Sequence, residues 1–153
     1  MRRWIDRSKI SVLFLFVLLF GAASVAAEEV QYLSTEAFRT RIYDFTAESV
    51  WKYKGDKPCV IDFYTVWCRP CKLLAPILEE LSEEYCDQVL FYRSDTEREW
   101  ELAYFFGINS IPQILFIPLE GKPMMLTGLY PREYIVQIIE EVLLQCENSE
   151  KEE

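Results

Sequence analysis

Histidine is absent from all 153 residues. That absence excludes serine–histidine and cysteine–histidine nucleophile pairs. It also removes imidazole as a zinc ligand. Any chemistry must come from cysteine, carboxylate, lysine, arginine, tyrosine or the backbone. A basic cluster is missing too. Acidic side chains outnumber basic ones 25 to 16, a formal net charge of −9. Such a chain argues against nucleic acid as a partner. No internal repeat is visible. A metal clip wants four ligands, and no second Cys-x-x-Cys accompanies the pair at Cys68 and Cys71, so no metal and no cofactor is expected. No cysteine precedes Cys59, which excludes a lipid-modified cysteine near the N-terminus.

The N-terminus carries a leader pattern. Arg2, Arg3, Arg7 and Lys9 make a positive stretch, residues 10–20 are apolar, and small residues lead to Val25, Ala26 and Ala27. This is the layout of a secretory signal peptide cut after Ala27. The alternative is an uncut anchor, since residues 10–27 are only just long enough to span a bilayer. Either way the rest of the chain is expected outside the cytoplasm, periplasmic or otherwise exported, because the positive end stays inside. Residues 28–153 then hold 12 basic and 24 acidic side chains, a net charge of −12. The expected division is one domain over residues 28–146 and a disordered acidic tail over residues 147–153.

The pattern along the domain alternates. Residues 30–33 read as a short strand, and Ser34 caps a helix to about Tyr43. Residues 59–64, "CVIDFY", are short and apolar, as a strand buried on both faces should be, with the single charge of Asp62 in the middle. A helix from about Arg69 to Tyr85 presents Leu74, Ile77, Leu78, Leu81 and Tyr85 as one stripe, with a kink expected at Pro76. Residues 89–94 make another strand. A helix is expected from about Thr96 until Gly107 stops it. Residues 113–118 and 123–129 form a hairpin. Pro131 opens a last helix to about Gln145, with Tyr134, Ile135, Ile138, Ile139 and Val142 on its apolar side. The order β-α-β-α-β-α-β-β-α implies an α/β fold, a mixed sheet with helices on both faces.

The Cys68–Cys71 pair follows a buried strand at once and opens a helix. A helix N-terminus carries partial positive charge and free N–H groups, which favour a thiolate at Cys68. Arg69 and Lys72 add cationic charge. Cys71 lies one turn further in, placed to attack a mixed disulfide formed at Cys68. A permanent structural bridge is a weaker reading, because so small a loop gains little entropy on closure. A lone Asp in an apolar strand should favour its neutral form, which makes Asp62 a candidate acid–base group. Cys59, Cys86 and Cys146 read as buried small hydrophobes, with a Cys86–Cys146 disulfide as the alternative.

"VIDFYTVWCRPCK" and, about forty residues on, "FGINSIPQILFI" together resemble the two signature segments of the thioredoxin family, and Gly128 fits as well. The resemblance extends over nearly all of residues 30–145. It implies the thioredoxin fold, a central mixed sheet of four or five strands flanked by helices. It implies Cys68 as nucleophile, Cys71 as resolving thiol and Asp62 as the buried carboxylate that moves the proton of Cys71. It implies a cis bond between Ile111 and Pro112, and a substrate groove made by Trp67, Arg69, Pro70, Ile111 and Pro112.

There are departures. Arg69 stands for the usual Gly, Tyr64 for the frequent Trp, and Gln113 for the common Thr. Phe91 takes the place of a lysine near the buried Asp, which leaves Asp62 without its customary cation.

Arg69 alone does not make an oxidant. An exposed charge near a thiolate is worth about 0.3–1 kcal/mol, or about 6–20 mV, whereas reducing and strongly oxidising pairs differ by about 150 mV. The expected function is therefore an extracytoplasmic protein-disulfide reductase. A disulfide oxidase or isomerase of the same fold, or a redox-inert peptide-binding module, are the alternatives. Expected partners are exported proteins with disulfides and a membrane electron donor. The chain is expected to be a monomer.

Overall fold

The computed structural model describes residues 30–144. The expectations for residues 1–27, for Cys146 and for residues 147–153 lie outside them. Among the described residues no helix is long and apolar enough to cross a membrane.

The elements are β1 (Gln31–Tyr32), α1 (Thr35–Arg41), β2 (Cys59–Tyr64), α2 (Arg69–Glu84), β3 (Leu90–Asp95), α3 (Trp100–Phe105), β4 (Gln113–Ile117), β5 (Met124–Thr127) and α4 (Arg132–Ile138). A π-helical turn, Ile139–Leu143, continues α4. The order is the one expected. The sheet has five strands in the order β1-β3-β2-β4-β5. β1, β3 and β2 are parallel, while β4 is antiparallel to both β2 and β5. β2 therefore sits at the centre, paired on both edges.

Successive side chains of a strand point to opposite faces, and β2 needs apolar residues on both. Val60 faces the layer of α2 and α4, where it joins Leu74, Leu78, Leu81, Ile135 and Ile139. Cys59, Ile61 and Phe63 face the other layer, with Phe38 of α1 and Leu102 of α3. This sandwich holds the end of β2, and so the start of α2, in place. Ser34 caps α1 as expected, its hydroxyl accepting from Ala37 N at 3.1 Å. α2 runs without interruption through Pro76.

The two largest differences from expectation have a visible cause. α3 starts at Trp100, not Thr96, because Asp95 captures the intervening backbone. Its carboxylate accepts from Glu97 N, and its carbonyl accepts from Arg98 N and Glu99 N. Glu99 in turn reaches back to Tyr32 Oη at 2.7 Å and to both N and Oγ1 of Thr35, tying β1 and α1 to the start of α3. The second difference is at the C-terminal end. The π turn, closed by Leu144 N on Ile139 O at 3.0 Å, adds a residue to the helical repeat. The core position thus passes from Val142 to Leu143, which is buried. Tyr134 is not on the apolar side but exposed, stacked on Tyr130 with ring centres 5.0 Å apart.

Gly107 stops α3 with φ +64°, and Ile108 N closes the end on Ala103 O. A methyl group at Gly107 would meet nothing within 4 Å, so the penalty of Gly107→Ala is backbone strain alone. A loss of about 1–2 kcal/mol is expected, measured by urea unfolding.

Candidate active site

The chain leaves β2 at Tyr64, and Cys68 N donates to Thr65 O at 3.3 Å to close the turn. Cys68 is the N-cap of α2. Its backbone is extended (φ −69°, ψ 111°), and its Sγ accepts the N–H of Cys71 at 3.2 Å. A sulfur in that position takes the place of a capping oxygen, so negative charge on it meets the positive end of the helix. Pro70 lies in the first turn, where its missing N–H would have had no helical partner. Cys68 and Cys71 are joined by a disulfide with Cα atoms 5.3 Å apart.

Exposure does not distinguish the two cysteines in this oxidised state, at 3% for Cys68 and 2% for Cys71. Position does. Cys68 Sγ receives a backbone N–H of the helix end, while Cys71 lines a cleft of about 380 Å³ with Tyr64, Thr65, Lys72 and Arg93.

Of the expected groove residues, Trp67, Arg69 and Pro70 flank the cysteines in the chain. Trp67 is 65% exposed, and its indole Nε1 donates to Glu97 Oε1 at 2.9 Å. Arg69 and Pro70 are exposed, Ile111 is half-buried and Pro112 is buried. The Ile111–Pro112 bond is cis. Phe63 pairs with Gln113 at the start of β4, so the segment carrying Ile111 and Pro112 enters the sheet at the end of β2 that leads to Cys68. Pro112 O is engaged by Gly128 N at 2.9 Å.

Asp62 is 1% exposed in the middle of β2. It shares a sheet face with Val60, the face covered by α2. Burial pushes its carboxyl up to about 7, with the positive charge of Arg93 pulling the other way. Asp62 pairs with Arg93 on β3, whereas Phe91 pairs with Val60 and belongs to the core. The expectation that Asp62 lacks a cation is therefore corrected. The cation comes from two residues further along β3.

Arg93 and Glu97 escaped the sequence reading. The signal for Arg93 was present. In "LFYRSD" residues 91 and 93 share a face, and an arginine on the apolar face of a strand needs a partner. Glu97 had no such signal, because its approach to Trp67 depends on the Asp95 turn.

The model of the family described as Thioredoxin matches residues 29–141. The chain is 39% identical over 109 residues to a thioredoxin of Borreliella burgdorferi, covering 71% of this chain and 93% of that protein. It is 31% identical over 121 residues to the chloroplastic M-type thioredoxin of Spinacia oleracea, covering 79% of this chain and 61% of that one. The solved structure of chloroplastic thioredoxin z aligns with a TM-score of 0.63 and 26% identity, over 74% of this chain and 93% of that chain.

Proposed function

Since the chain belongs to the thioredoxin family and is a disulfide oxidoreductase, we propose that it reduces disulfides of exported proteins outside the cytoplasm. The observation that carries the chemistry is the Cys68–Cys71 pair at the N-terminus of α2, with the buried Asp62 carboxyl on the sheet face that α2 covers. The observation that supports the compartment is the charged, apolar and small-residue pattern of residues 1–27.

The reaction starts from the reduced pair. The Cys68 thiolate attacks one sulfur of a substrate disulfide. That S–S bond breaks, the other substrate sulfur leaves as a thiolate, and a mixed disulfide joins Cys68 to the substrate. The Asp62 carboxylate takes the proton of Cys71. The Cys71 thiolate then attacks Cys68 Sγ and releases the second substrate thiolate. Two electrons have passed to the substrate, and the pair is left as the disulfide seen in the structure. A base works best with its pKa near the working pH, and Asp62 at about 7 meets that condition. Trp67, Arg69, Pro70, Ile111 and Pro112 form the groove that holds the substrate chain.

Continued turnover outside the cytoplasm needs a membrane protein that carries electrons outward. The deciding experiment is equilibration of the purified pair against a thiol buffer. A potential near about −270 mV supports the reductase. A value between about −120 and −180 mV assigns the protein to disulfide formation or isomerisation. Arg69 is exposed and forms none of the ion pairs among the described residues, so Arg69→Gly is expected to lower the potential by only about 6–20 mV.

A further inference from the structure

Three groups converge on the α2 face of the central strands. β2 contributes Asp62 and Tyr64, two residues apart and therefore on one face. β3 contributes Arg93, directly across from Asp62. The guanidinium carbon of Arg93 lies 4.1 Å from the centre of the Tyr64 ring, the geometry of a cation–π contact. Tyr64 and Arg93 line the cleft that the inner cysteine, Cys71, also lines.

Asp62 and Arg93 are neighbours, yet they do not form one of the direct ion pairs of the described residues. Asp62 Oδ1 and Arg93 Nε are both buried, and neither has a hydrogen-bond partner. Opposite charges on adjacent strands would ordinarily close on each other. Here the Tyr64 ring holds the guanidinium instead.

That distinction matters for a proton acceptor. A carboxylate locked in a direct ion pair stays ionised and binds a proton poorly. A carboxyl buried with no cation nearby holds its proton too tightly to act as a base. A cation held close, but off the carboxylate, leaves the group between those limits.

We propose that Tyr64 and Arg93 act together as the positioning pair of the resolving step. The Tyr64 ring restrains the Arg93 guanidinium at a set distance from Asp62, and so sets how readily Asp62 takes the proton of Cys71. The inference rests on the reading of Asp62 as the proton acceptor.

The other titratable groups that face Asp62 and Arg93 come from β3 and α2. Ile114 of β4 lies opposite it and carries no charge. α2 brings Cys71 and Lys72 to the cleft that Tyr64 and Arg93 line, and Glu79 and Glu83 to a second cleft on Arg93. Asp95, further along β3, is occupied by Glu97 N and by Arg98. Asp62 responds to burial first and to Arg93 second.

The two partners should move the chemistry in opposite directions. The readout is the pH dependence of the resolving rate, followed as release of a dithiol substrate from the mixed disulfide in a single turnover. Arg93→Met removes the cation. The inflection should move up by about one pH unit, and the rate below it should fall about tenfold. Arg93→Gln does the same if the methionine variant fails to fold. Arg93→Lys should return most of the rate. Tyr64→Leu frees the guanidinium to close on Asp62, and the inflection should move down. An inflection that stays in place in folded Arg93→Met and Arg93→Gln overturns the proposal, as does one that moves up in Tyr64→Leu. Asp62→Asn separates the underlying reading. If that variant keeps the inflection, Asp62 is not the acceptor and both readings fall. If it loses the inflection while the Arg93 variants leave it unmoved, only the inference about the pair fails.

Discussion

Cys68→Ser is expected to abolish disulfide reduction, with a loss on the order of a thousandfold or more. The reason lies in the cap of α2. The sulfur of Cys68 is the atom that receives the Cys71 N–H at the positive end of the helix. Oxygen can accept the same hydrogen bond, so the fold should survive and melting should change little. A serine hydroxyl, however, stays protonated near neutral pH and cannot exchange with a disulfide. Cys71→Ser should behave differently. The first attack remains possible, the resolving thiol is gone, and the substrate accumulates as a mixed disulfide on Cys68. Turnover of a disulfide-containing protein, followed with non-reducing electrophoresis of the trapped species, distinguishes the two. Full function in Cys68→Ser would turn the assignment toward a peptide-binding module.

Asp62→Asn is expected to remove most of one pH-dependent component of stability. Burial raises the Asp62 carboxyl from 3.8 to about 7 in the folded chain. Between those values the unfolded chain has released the proton and the folded chain has kept it. The folded state then binds more protons than the unfolded one, so stability falls as pH rises from about 4 to about 7 and levels off above that. At about 1.4 kcal/mol per unit, the loss is on the order of 4 kcal/mol. The asparagine variant does not titrate and should lack this slope. Glu99, whose carboxylate is held below its usual value by hydrogen bonds from Thr35 and Tyr32, acts with the opposite sign and is common to both proteins. The difference between wild type and Asp62→Asn therefore isolates Asp62. Urea unfolding at pH 4, 6 and 8 measures it, and a constant difference across that range would contradict a buried, neutral carboxyl.

Local rules carried the sequence reading where one interaction dominates. β2 was legible to the residue, because a strand buried on both faces shows as an unbroken apolar run. The Cys68–Cys71 disulfide was legible from its spacing at a strand-to-helix turn, and the burial of Asp62 from its place in that apolar run. The start of α3 was not, since Glu97, Arg98 and Glu99 are good helix formers and the capture of their backbone by Asp95 prevents the helix. The π turn of α4 was not, because one added residue merely exchanges Val142 for Leu143, and both are apolar. Arg93 was missed through register. Its role depends on which residue of β3 stands across from Asp62, and a shift of two residues replaced it with Phe91.

The central place of β2 has a consequence for how the molecule comes apart. Amide protons exchange with solvent first where strands are short or unpaired on one edge, as in the two residues of β1, and last where neighbours guard both sides. Deuterium should therefore enter the strand that carries Asp62 and leads to Cys68 only when the entire domain opens. Partial openings at the edges leave the reactive sulfurs in their native setting, so the pair should keep its redox character almost to the melting point and lose it together with the fold.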